Sequence, residues 1–110
     1  MTLKELSQIY WLSRELEEET ARLKEAEQSD NDELAVEIAE RILHRTKKIR
    51  EEKVKIEAYI DEIPDSLTRQ IFVQRFICRR SWVFIGIKLG INDEAAKKIV
   101  YRYIDRHNQK

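Results

Sequence analysis

Apolar residues recur at three- and four-residue steps over most of this chain, the period of helices that bury one face. Leu3, Leu6, Ile9, Tyr10, Leu12, Leu16 and Leu23 form the first stripe, opened by a T-x-x-E capping box at Thr2 and Glu5. The spacing predicts one long amphipathic helix to about Gln28, stopped by the turn and N-cap chemistry of Ser29-Asp30-Asn31-Asp32. A second helix is predicted from Asp32 or Glu33. Its seam sets Ile42, Ile49, Ile56 and Ile63 seven apart, with Ile38 and Tyr59 on alternate positions and the charged Arg45 and Glu52 interrupting it. Two narrow stripes joined by so short a turn are expected to bury each other, giving a long, protruding, coiled-coil-like antiparallel hairpin. A hairpin covers each stripe only in part, which leaves a surface for dimerisation or for a partner.

Pro64 ends the second helix, because its ring excludes the helical conformation at the residue before it. Asp65 or Ser66 is placed to cap a third helix, with Leu67, Ile71, Phe72, Phe76 and Ile77 inward and Arg69, Gln70 and Arg75 outward. A break at Cys78-Arg79-Arg80 precedes Ser81, the N-cap of a fourth, short helix over Trp82 to Leu89, closed by Gly90. Asn92 or Asp93 caps a fifth helix to about Arg106, after which His107-Asn108-Gln109-Lys110 is expected to fray. The fold class is therefore all-α: a hairpin over 1–63 followed by a three-helix unit over 64–110.

Composition agrees with this reading, since 38% of residues are charged and punctuation is limited to two Gly and one Pro. The net charge of zero hides a division. Residues 1–63 carry 11 Lys and Arg against 17 Asp and Glu, a balance of −6, whereas residues 64–110 carry 10 against 4, a balance of +6. A nucleic acid would meet the basic half alone. No signal peptide or membrane-spanning run is visible, so the expected location is the cytoplasm, with no membrane partner. One cysteine and two histidines 63 residues apart argue against a disulfide or a metal site, and no cofactor is expected. Ser81 has no base beside it, Cys78 reads as a small hydrophobe filling a gap, and Trp82 reads as core. The carboxylates of the first two helices read as a solvated face without a pocket or histidine, so the chain is not expected to be an enzyme.

Both glycines fall within five residues, at Gly86 and Gly90. Two helices crossing over a tight turn need a small residue where their backbones touch and a residue tolerant of positive φ at the corner. Gly86 suits the first position and Gly90 the second. Ile85 and Leu89 then face inward, Ile91 plugs the turn, and Ala96, Ile99 or Val100, Tyr103 and Ile104 line the fifth helix. A helix presented in this way to a major groove would offer Asp93, Glu94, Lys97 and Lys98 first, with Tyr101 and Arg102 one turn on. Asp93 and Glu94 also suit the electrostatics of a helix N-terminus. Arg79, Arg80 and Lys88 lie around the fourth helix where phosphates would sit, with few acidic neighbours in sequence.

The stretch Asp65-Ser-Leu-Thr-Arg-Gln-Ile-Phe-Val-Gln-Arg-Phe-Ile, then Ser81-Trp, Ile85-Gly-x-x-Leu-Gly and Ala95-Ala-Lys-Lys-Ile-Val-Tyr-Arg-Tyr-Ile resembles small regulators encoded by phages and prophages of Firmicutes. Those are similar in turn to region 4, the promoter-reading domain, of bacterial sigma factors. The opening Leu3-Lys-Glu-Leu-Ser-Gln-Ile-Tyr-Trp-Leu-Ser-Arg-Glu-Leu resembles the start of the same phage family. The resemblance implies a transcription regulator in the bacterial host that binds double-stranded DNA with its last helix and touches RNA polymerase. It places base or phosphate contacts at Asp93, Glu94, Lys97, Lys98 and Arg102. Two other readings use the same residues: a small-terminase-like DNA-packaging accessory protein that assembles as a ring, and a protein-protein interaction module without DNA binding.

Overall fold

The chain is all-helical in a computed structural model that describes residues 1–108. In chain order the elements are α1 (Leu3–Leu6), α2 (Gln8–Gln28), α3 (Asp32–Asp61), α4 (Ser66–Phe72) running into a π-helical turn (Val73–Ile77), α5 (Trp82–Leu89) and α6 (Asp93–His107). Glu15 pairs with Arg45 and Glu19 with Arg41, so α2 and α3 run side by side in opposite directions. The radius of gyration, 17.4 Å, exceeds the value of about 13 Å for a compact chain of this length, and the extents of 52 × 31 × 18 Å locate the excess along one axis. A helix of α3's 30 residues rises about 45 Å and accounts for it.

The helix starts follow the local chemistry. Thr2 and Glu5 complete the capping box, Asn31 accepts from the Leu34 N–H, and Asp65 accepts from both the backbone N–H (3.0 Å) and the hydroxyl (2.7 Å) of Thr68. Those two bonds, the hydroxyl's first, hold the Asp65 carboxyl below its ordinary pKa. The Arg69 guanidinium donates to the carbonyls of Ile63 (2.7 Å) and Pro64 (3.1 Å) in the link between α3 and α4.

One core joins the acidic and basic halves. Leu6 and Ile9, then Ile56, Ile60 and Ile63, pack with Ile71, Phe72, Phe76, Ile85, Ala96, Val100 and Ile104. Phe72 lies at its centre, with the rings of Phe76 and Tyr103 5.4 and 5.5 Å away. Met1 and the end of α6 meet beside it: the Asn108 side-chain amide donates to the Met1 carbonyl, and the His107 ring stacks on Tyr103 at 3.9 Å. His107 therefore belongs to α6 and Asn108 is tied down, contrary to the fraying expected there. Gln109 and Lys110 lie outside the described residues.

Other expectations change for physical reasons. The first helix is interrupted at Ser7, where the backbone opens to ψ 0 between α1 and α2 while the Ser7 N–H and hydroxyl both donate to the Leu3 carbonyl. Leu3, Tyr10 and Leu67, expected inward, are exposed. The third helix widens into a π turn, which carries Arg75 to a half-buried position when an outward one is expected. Cys78 is exposed and fills no gap.

The largest departure lies in the arm, where the carboxylates do not all form a solvated face. Glu19 is buried, and it accepts from Arg22 (3.0 Å) and Arg41 (3.2 Å) and lies 3.6 Å from Arg45. Burial pushes its carboxyl up, and the hydrogen bond and charge of Arg41, with the charges of Arg22 and Arg45, more than reverse this, leaving its pKa below the ordinary value. Arg45 Nε in turn is buried without a partner among the described residues.

Candidate nucleic-acid interface

The corner between α5 and α6 is built from short-range chemistry. Ser81 accepts from the Phe84 N–H at 3.1 Å and starts α5, and Gly90 ends it in the left-handed region at φ +69. The Gly86 carbonyl accepts from the N–H groups of both Gly90 and Ile91, so the last turn of α5 closes on itself. A Cβ on Gly86 would lie 2.7 Å from the Ile91 carbonyl oxygen and 3.2 Å from the Asp93 nitrogen. No flexible side chain is there to yield; the obstacle is the backbone that enters α6. Asn92 then caps α6, its side-chain oxygen accepting from Glu94 (2.8 Å) and Ala95 (3.4 Å). Ile85, Ala96 and Val100 are fully buried at the junction, with Ile91, Ile99 and Leu89 partly buried around it.

Burying Ala96, Val100 and Ile104 leaves an opposite face of α6 that carries Glu94, Ala95, Lys98, Tyr101, Arg102, Asp105 and Arg106, all exposed. Among the residues singled out from sequence, Lys98, Tyr101 and Arg102 share this face with Glu94. Lys97 lies at its border, half-buried, with Nζ 3.5 Å from a Glu94 carboxylate oxygen. Asp93 is half-buried at the corner, where its backbone meets Gly86. Tyr101 sits edge-on to Trp82 at 6.2 Å, which links the face to the start of α5.

Residues before and within α5 divide. Arg80 and Lys88 are exposed and flank the Phe84 ring, at 4.7 and 6.0 Å from its centroid. Arg79, in the left-handed region at φ +57, is drawn to the arm, its guanidinium 3.4 Å from Glu17 of α2. Few acidic residues neighbour these side chains in sequence, yet the fold supplies Arg79 with a partner from 62 residues away. Arg75 is the residue that sequence reasoning misses. Its guanidinium stacks over Trp82 at 4.5 Å and donates to the Arg80 carbonyl at 3.0 Å, pinning the segment between the π turn and α5. The exposed Val83 and Ile87 on α5 likewise stand apart from the sequence pattern, which gives them no role.

Among the described residues no cluster of His, Cys, Asp and Glu is arranged to hold a metal ion, and no helix is long and apolar enough to cross a membrane. Comparison with protein-family models, with curated proteins and with solved structures finds no match to this chain.

Proposed function

We propose that this chain binds double-stranded DNA as a transcription regulator of phage or prophage type. In this reading α5 and α6 act as a helix-turn-helix of the sigma region 4 kind, and the α2–α3 hairpin is a dimerisation or partner-binding element. The observation that carries the reading is the backbone contact at Gly86, 2.7 Å from Ile91 to where a Cβ would stand. So close an approach brings the entry of α6 against the middle of α5, and the Lys98–Arg102 side of α6 is exposed.

The roles follow from position. Lys98 and Arg102, one helical turn apart and exposed, donate to base edges or phosphates, and Tyr101 spans the distance between them. Arg80 and Lys88, free of carboxylate partners within salt-bridge distance among the described residues, neutralise backbone phosphates. Glu94 is engaged with Lys97 and sits in the first turn, where a negative charge favours the helix N-terminus. Support for the arm's role comes from α3, whose Val36, Leu43 and Val54 are exposed along one line of its outer surface.

The test is selection of duplexes by the full chain from a random-sequence pool, followed by anisotropy titration of the enriched duplex. The reading expects a short consensus, tight binding at low salt and marked weakening as salt rises. A pool that stays random and unbound at low salt contradicts it and favours an interaction module without DNA binding. A consensus bound only by a ring of many copies favours the DNA-packaging alternative.

A further inference from the structure

A second surface lies where α1 and α2 meet the π turn and the segment that leads into α5. Leu6, Ser7, Tyr10 and Trp11 form one wall of an open groove of about 470 Å³, and Arg75, Phe76, Arg79 and Ser81 form the other. Its volume is that of a ligand site. Trp11 is 57% exposed and Tyr10 41%, and the two rings stand edge to face at 5.0 Å. Arg14 extends the rim, with its guanidinium donating to the Tyr10 hydroxyl. Exposed Trp and Tyr beside several arginines is the composition that dominates protein-protein binding energy, and burying a ring the size of Trp11 is strongly favourable.

The charge around the groove identifies what it takes. Arg14, Arg75 and Arg79 surround it against two carboxylates at the rim, Glu17 and Glu18, and Glu17 holds Arg79 in an exposed pair that contributes little. A partner's carboxylate would displace Glu17 without loss. We propose that this groove is the docking site for an acidic segment of a partner protein, which seats a large apolar side chain between Trp11 and Phe76 and sets a carboxylate on Arg79. Arg75 and Phe76 both reach the groove from the π turn. The surface uses α2, so it does not depend on α6 binding DNA.

The experiment selects random twelve-residue peptides on the full-length chain and measures the affinity of the enriched, fluorescently labelled peptide by anisotropy. Enriched peptides are expected to pair Asp or Glu with Leu, Phe or Trp. Trp11→Ala and Arg79→Glu, both at exposed positions, should each weaken binding about ten-fold or more while circular dichroism stays unchanged. Failure to enrich any peptide, enrichment of basic or uncharged peptides, or binding indifferent to both substitutions overturns the proposal. So does concentration-dependent self-association of the chain that Trp11→Ala abolishes, which would give the groove to a second copy. Equal loss of duplex affinity in Arg79→Glu would make that arginine a phosphate contact and overturn it too, whereas loss of DNA binding through Lys98 and Arg102 alone leaves it intact.

Discussion

The arm and the corner are both helix pairs, yet they are held by opposite means. Along α2 and α3 the fully covered apolar positions are few, Ala26 and Ile38 in the outer part, and the middle is occupied by Glu19 and its three arginines. Between α5 and α6 the contact is apolar and close enough for backbones to touch. The difference is instructive because apolar packing is non-directional, whereas a buried carboxylate that needs particular arginines fixes which residues lie opposite which. The arm is long and joined by the short turn between Gln28 and Asp32, and Glu19 ties its middle across the two helices to Arg41 and Arg45. The corner is short, and Gly86 leaves room for the backbone that enters α6 to approach α5.

Substitutions at the two sites should separate these mechanisms. Phe72→Ala, which empties the shared core under α6, should cost about 3–5 kcal/mol in urea unfolding, the largest effect expected. Gly86→Ala pushes a methyl group into the Ile91 carbonyl and should cost about 1–3 kcal/mol, with duplex affinity falling alongside stability. In the arm, Glu19→Gln keeps the shape and removes the charge, so it should lower the melting temperature by less than Phe72→Ala. Leu43→Ala, on the outer line of α3, should change monomer stability by no more than about 0.5 kcal/mol while weakening any self-association.

Acid provides a further contrast. Glu19 and Asp65 have folded pKa values below their ordinary ones, so folding favours their ionised forms. That stabilisation is complete above the ordinary carboxylate range and is lost as pH falls through that range to the lower folded-state values. Melting temperature should therefore fall on acidification over that window. The fall should be shallower in Glu19→Gln, and an unchanged pH profile in that variant would remove Glu19 from the account of the arm.

What is readable in the sequence is local. Thr2, Asn31, Asp65, Ser81 and Asn92 cap helices through residues two or three positions on, and Gly90 ends α5 through its own φ, so each can be placed without knowing the fold. Glu19 cannot, because its burial depends on arginines 22 and 26 residues further along that only the facing helix brings near. The exposure of Leu3, Tyr10 and Leu67 and the pairing of Arg79 with Glu17 are hidden for the same reason. The π turn leaves no trace in a periodicity that merely shifts by one residue, so spacing alone points Arg75 outward. For the candidate interface, spacing locates α6 and its basic side chains. It does not show that Lys97 is half-buried beside Glu94 while Lys98 and Arg102 stand clear.

Whether the uncovered side of α6 meets DNA is read from the salt dependence of duplex affinity. Plotting log affinity against log salt for the chain and for Lys98→Ala/Arg102→Ala should give a shallower line in the variant, by about 0.9 for each phosphate that the variant no longer neutralises, with helical content unchanged. Superimposable lines of equal affinity would show that this face does not touch the duplex.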